Sequence, residues 1–158
     1  MLQMSDREKF LFDLQGFLHV KQILSPEQVK AMNEAIDINA EAWSEDMWTG
    51  PNPYGGGMAG KNAEFGVGGI LEWPQPYCQQ FRDLLAHPKL IPYLNTLFGR
   101  GWRLDHLPFV SFARKGIGGH GLHGTTSRIF DSGAFYHFAN GEIRTGLTVF
   151  QFQLADIN

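Results

Sequence analysis

The stretch Tyr136-His137-Phe138-Ala139-Asn140-Gly141-Glu142-Ile143-Arg144-Thr145 decides the fold class of this 158-residue chain. Asn140-Gly141 sits between two runs rich in aromatic and β-branched residues, a strong sign of a β-hairpin. Strands are predicted over Tyr136–Ala139 and Ile143–Leu154, and upstream over Trp102–His106 and Pro108–Arg114. Further towards the N-terminus the pattern is helical. Ser5 and Glu8 make a capping box ahead of Phe10, Leu11 and Leu14, and Gly16 stops that helix. Phe17–Leu24 reads as a short strand. Ser25-Pro26-Glu27-Gln28 is a second capping box with proline at the first helical position. Val29, Met32, Ile36, Ala40 and Trp43 then line one face of an amphipathic helix. Helical patterns return over Pro76–Leu85 and Pro88–Phe98, the latter closed by Gly99. Helices first and strands afterwards predict an α+β domain spanning 1–158, with helices packed on one face of an antiparallel sheet.

Composition narrows the function classes. With 43% hydrophobic and 18% charged residues and a formal charge of -3, the chain has the balance of a soluble globular protein. It has no electrostatic footprint for nucleic acid or an anionic membrane. The N-terminus lacks a secretory apolar region, no apolar run reaches membrane-spanning length, and the single cysteine, Cys78, cannot form an intrachain disulfide. A soluble, reducing, cytoplasmic location is the expectation.

Residues 46–69 hold eight glycines and two prolines, with Trp48, Tyr54, Met58 and Phe65 among them. This segment fits no helix or strand period, and reads either as a lid or substrate wall or as an ordered surface loop. Gly116-Ile117-Gly118-Gly119-His120-Gly121 satisfies a dinucleotide-binding spacing. The residues after it, Leu122-His123-Gly124-Thr125-Thr126, have poor helix propensity, whereas a nucleotide site needs a helix there. His120 and His123 lack the glutamate of a zinc-protease helix and read by themselves as loop histidines. Asp131, His137 and Asp156 could each join a metal or acid–base site, but none lies in a recognisable motif. His19, His87 and His106 read as structural.

Several colinear segments resemble the phytanoyl-CoA dioxygenase family of iron(II)/2-oxoglutarate oxygenases. The first is Phe12-Asp13-Leu14-Gln15-Gly16-Phe17-Leu18-His19-Val20 followed by Ile23-Leu24-Ser25-Pro26-Glu27-Gln28-Val29. The second runs from His87-Pro88-Lys89-Leu90 to Leu97-Phe98-Gly99. Gly121-Leu122-His123-Gly124 falls where the family carries its first metal histidine, and Thr145-Gly146-Leu147-Thr148-Val149 is similar to its next barrel strand. The resemblance implies a double-stranded β-helix, a jelly-roll barrel flanked by helices. It also implies Fe(II) held by a two-histidine, one-carboxylate triad, with 2-oxoglutarate as co-substrate and a small organic molecule as the hydroxylated substrate.

On that resemblance His123 is the candidate metal ligand. The family's nearby carboxylate position falls on Thr125, so Asp131 is the candidate replacement. The family's late histidine and its cationic 2-oxoglutarate anchor have no counterpart in these residues. The chain therefore reads as the N-terminal portion of such an oxygenase, inactive in isolation; the cofactors are those of the family, and the alternative is that this chain binds none. A homo-oligomer, a dimer covering the open half-barrel, is expected, since Leu147–Leu154 carries apolar groups on both sides. The alternative is a non-catalytic α+β module that binds a ligand or partner.

Overall fold

The structure, a computed structural model, describes residues 3–39, 65–112 and 135–156. The fold is mixed α+β. Its elements in chain order are α1 (Asp6–Gln15), α2 (Pro26–Ile38), β1 (Phe65–Val67), α3 (Gln79–Arg82), a 3-10 turn (Asp83–Ala86), α4 (Ile91–Phe98), β2 (Val110–Phe112), β3 (Tyr136–Ala139) and β4 (Glu142–Thr145). Among the described residues the strands form two antiparallel pairs, β1 with β2 and β3 with β4.

The chain divides into two compact units. The first comprises residues 1–29, 83–105 and 124–158, and the second 30–82 and 106–123.

In the first unit, local sequence sets the helix ends. Ser5 is the N-cap of α1: its hydroxyl accepts from the Glu8 amide, while Glu8 reaches back to the Ser5 amide at 2.8 Å. Gly16 closes the helix in the left-handed region at φ 76°, a conformation that glycine adopts without Cβ strain. Ser25 and Gln28 exchange the same kind of bonds at the start of α2. Asn140 and Gly141, at φ 54° and 77°, make the turn between β3 and β4. Positive φ at both positions is what a two-residue hairpin turn demands.

The core of this unit forms where β4 meets the helices. Ile143 is fully buried and clusters with Met4 and Leu97, and Phe12, Leu18, Tyr93, Phe98 and Phe150 pack around them. Burying a side chain of this size contributes about 1.5–3 kcal/mol. Thr145, two residues along the same face, is also buried; its hydroxyl lies 3.0 Å from that of Thr148 and 3.4 Å from the Leu97 carbonyl. Helices thus cover one face of the hairpin.

In the second unit, Met32, Ala35 and Ile36 of α2 are buried, as are Val67, Ile70, Trp73, Cys78 and Phe81. Trp73 and Phe81 meet edge to face at 5.4 Å, the arrangement the ring quadrupoles favour. Arg82 braces the preceding turn, donating to the Leu71 carbonyl from Nε at 2.9 Å and Nη2 at 2.6 Å.

Several expected elements differ. Phe17–Leu24 and Trp102–His106 form no strand, and beyond Thr145 the run to Leu154 has no ladder. Exposure still alternates there: Leu147, Val149, Gln151 and Gln153 are exposed, while Thr148, Phe150, Phe152 and Leu154 are half-buried. A strand needs a neighbour to pair with, and period-two side-chain placement does not provide one. Conversely, Phe65–Val67, inside the glycine-rich stretch predicted to lack regular structure, forms β1 and pairs with β2. The expected helix over Pro76–Leu85 is shorter: a turn leads into α3, and the 3-10 turn follows. Residues 46–64 lie outside the described residues, as does the end of the second predicted helix, including Ala40 and Trp43.

Candidate functional site

The two candidate metal ligands, His123 and Asp131, lie outside the described residues, as do His120 and Thr125. Among the described residues, no group of three His, Cys, Asp or Glu side chains could hold a metal ion.

The remaining histidines occupy unrelated environments. His87 is buried and occupied with the approach to α4. Its carbonyl accepts from the Leu90 and Ile91 amides at 2.8 and 3.3 Å, and its Nδ1 accepts from the Lys89 amide at 3.3 Å. His137 is exposed on β3, directly across from Arg144 and on the face opposite Ile143. A guanidinium neighbour is unfavourable for a metal cation, which argues against a ligand role. Asp156 is exposed, as is His19. Cys78 is buried, and its setting offers no mark of a nucleophile.

The first unit carries an open groove of about 450 Å³. Glu8, Lys21, Gln22, Lys89 and Tyr93 line it, above Met4. The sequence places Glu8 in the α1 capping box, and α4 brings Tyr93 to it from 85 residues away. The Glu8 carboxylate accepts from the Tyr93 hydroxyl at 2.7 Å and from the Ser5 hydroxyl at 2.7 Å. These bonds, that of Tyr93 foremost, hold the Glu8 carboxyl below its ordinary value. Burial, followed by the bond to Glu8 and its charge, pushes Tyr93 up to about 12.

Lys89 is likewise committed, its ammonium donating to the Gln22 carbonyl at 2.6 Å. Gln22 holds φ 58°, uncommon for a residue with a side chain. Below the groove, Thr96 links α4 to the N-terminal segment: its hydroxyl accepts from the Met4 amide at 3.0 Å and donates to the Pro92 carbonyl at 2.8 Å. The acid and the phenol are therefore bonded to one another. The groove is a polar joint between α1 and α4.

Sequence reading missed the Tyr93–Glu8 pair, and no local signal could have revealed a bond between such distant positions. No family model matches the chain, nor does any curated protein or solved structure. No described helix is long and apolar enough to cross a membrane.

Proposed function

We propose that this chain belongs to the iron(II)/2-oxoglutarate oxygenase type exemplified by the phytanoyl-CoA dioxygenase family, and that its helices accompany strands of a double-stranded β-helix. What supports the reading is order along the chain. A helix ended by Gly16 precedes one opened by Ser25-Pro26-Glu27; α4 ends at Gly99; strand-forming sequence follows, with His123 between β2 and β3 in the sequence. In such oxygenases the bound iron activates oxygen at the expense of 2-oxoglutarate, to hydroxylate a small organic substrate.

A facial iron site needs three protein donors. His123 and Asp131 supply two of the three donors that a facial triad needs, and the described residues offer no clustered third. The chain by itself is accordingly expected to be inactive. The incomplete set also favours a second reading, a non-catalytic module that keeps the family's helical half and binds a ligand or partner.

Two measurements test the proposal. Under Fe(II), oxygen and 2-oxoglutarate, the chain should form no more succinate than its His123→Ala variant. Turnover lost in that variant would show that a third donor exists and overturn the expected inactivity. Added Co(II) should give a visible absorption spectrum that changes in His123→Ala and in Asp131→Asn. Identical spectra in all three proteins would remove His123 and Asp131 as metal ligands of this chain and leave the second reading.

A further inference from the structure

The β3–β4 turn places a side-chain carboxamide and a glycine amide next to one another. Asn140 is the only asparagine of the chain that precedes a glycine. Both residues of the turn are exposed, and neither the Asn140 carboxamide nor the Gly141 amide makes a hydrogen bond to another described residue. The space beside Gly141 is open as well: a Cβ added there would meet nothing within 4 Å. Any other residue would carry that Cβ beside its amide nitrogen, whereas glycine leaves the nitrogen unshielded. Both groups therefore stand in water with nothing competing for either.

We propose that Asn140 is a site of spontaneous deamidation and isomerisation, and that isoaspartate formed there loosens the β3–β4 hairpin. Asparagine is among the thermolabile residues. The Gly141 nitrogen attacks Cγ of Asn140. The new N–Cγ bond closes a cyclic imide, the Cγ–Nδ2 bond breaks, and ammonia leaves with the proton of the Gly141 amide. Water, the only other reactant, then opens the imide, and no atom changes oxidation state. Addition at Cγ gives aspartate. Addition at the main-chain carbonyl carbon gives isoaspartate, in which the chain runs through the side-chain methylene. Closure swings the Gly141 nitrogen towards the preceding carboxamide, a motion restrained by the ladder pairs Ala139 with Glu142 and Phe138 with Ile143. The reaction therefore proceeds through local opening of the hairpin end, which costs less than global unfolding. Its isoaspartyl product cannot be accommodated as easily. A two-residue turn with positive φ at both positions has no place for an extra main-chain atom. Ile143, fully buried, lies two residues beyond Gly141, so a displaced start of β4 withdraws a core side chain.

Incubation of the full chain in mildly alkaline, heavy-oxygen water, followed by peptide mapping, tests the proposal. Asn140 should convert before every other asparagine, to isoaspartate as well as aspartate, with one labelled oxygen in each product and ammonia released in equal amount. In Asn140→Gln that early ammonia should be lost, because the longer side chain disfavours the ring; the mapping of the wild-type chain stands without this variant. The isoaspartyl chain, separated from the aspartyl one, should unfold at a lower urea concentration. Aspartate without isoaspartate, or earlier conversion at another asparagine, overturns the proposal. So does a chain that stays unchanged while a free peptide of residues 136–145 converts. Equal urea midpoints for the two products overturn the effect on the hairpin.

Discussion

The Tyr93 hydroxyl donates to the Glu8 carboxylate at 2.7 Å, and Glu8 is the residue that closes the capping box of α1. One carboxylate therefore serves a local purpose, satisfying the Ser5 amide and hydroxyl, and a long-range one, tying the first turn of α1 to α4. Loss of the phenol leaves the box intact and removes only the tie.

Tyr93→Phe should cost about 1 kcal/mol at pH 7, the usual worth of a partly exposed hydrogen bond to a charged group. The sign of its pH dependence follows from Glu8, whose folded-state carboxyl lies below its ordinary value of 4.5. Such a group contributes stability above the unfolded value and loses it as pH falls through the folded one. Urea denaturation should therefore show a gap between wild type and Tyr93→Phe at pH 7 that shrinks towards pH 3. A gap of equal size at both values would mean that packing, not the carboxylate, is responsible.

Tyr93 and Tyr136 should titrate late, near 12, each held up first by burial and then by its bonded acid, Glu8 or Asp13. Their folded values lie above the unfolded value of about 10, so their contribution to stability is complete below that pH and is lost as pH rises towards 12. Tyrosinate absorbance should show the late step, and Tyr136→Phe should remove about one ring's amplitude from it. An unchanged late step in that variant would contradict the Asp13 bond.

Ile143→Ala should destabilise the protein by about 2–5 kcal/mol, because the side chain is fully buried among Met4, Leu97 and their neighbours. Val149→Ala, at a largely exposed position, should stay within about 0.5 kcal/mol. Chemical denaturation of both variants checks the contrast. Equal effects would place the core elsewhere.

Thr96→Val keeps the shape of a buried side chain and removes the acceptor of the Met4 amide. The cost should be about 1–3 kcal/mol, the penalty for a buried donor left without a partner. Amide exchange provides the local readout: the Met4 amide should exchange faster in the variant, while the amides of β4 change only by the overall loss of stability.

The turns and helix ends were legible because each depends on a few neighbouring residues. Ser5 with Glu8, Gly16, Ser25 with Gln28, Gly99 and Asn140-Gly141 all act where their chemistry says they should. The candidate metal residues His123 and Asp131 came from a resemblance, and their geometry lies outside the described residues. Strands were less legible. Phe17–Leu24 and Gly146–Leu154 have strand composition but no ladder, and Phe65–Val67 has a ladder despite its glycine-rich surroundings.

The physical reason is range. A cap or a two-residue turn is settled by hydrogen bonds and backbone angles within about four residues, so composition and spacing suffice to place it. A strand is stable only when a distant segment offers its amides and carbonyls in register. The Tyr93–Glu8 bond, the burial of Ile143 and the exposure of Phe10 and Leu14 are of that second kind. Phe10, Leu11 and Leu14 read alike as apolar positions of one helix; in the structure Leu11 is half-buried, as is Phe12 against the core, while Phe10 and Leu14 are left in water.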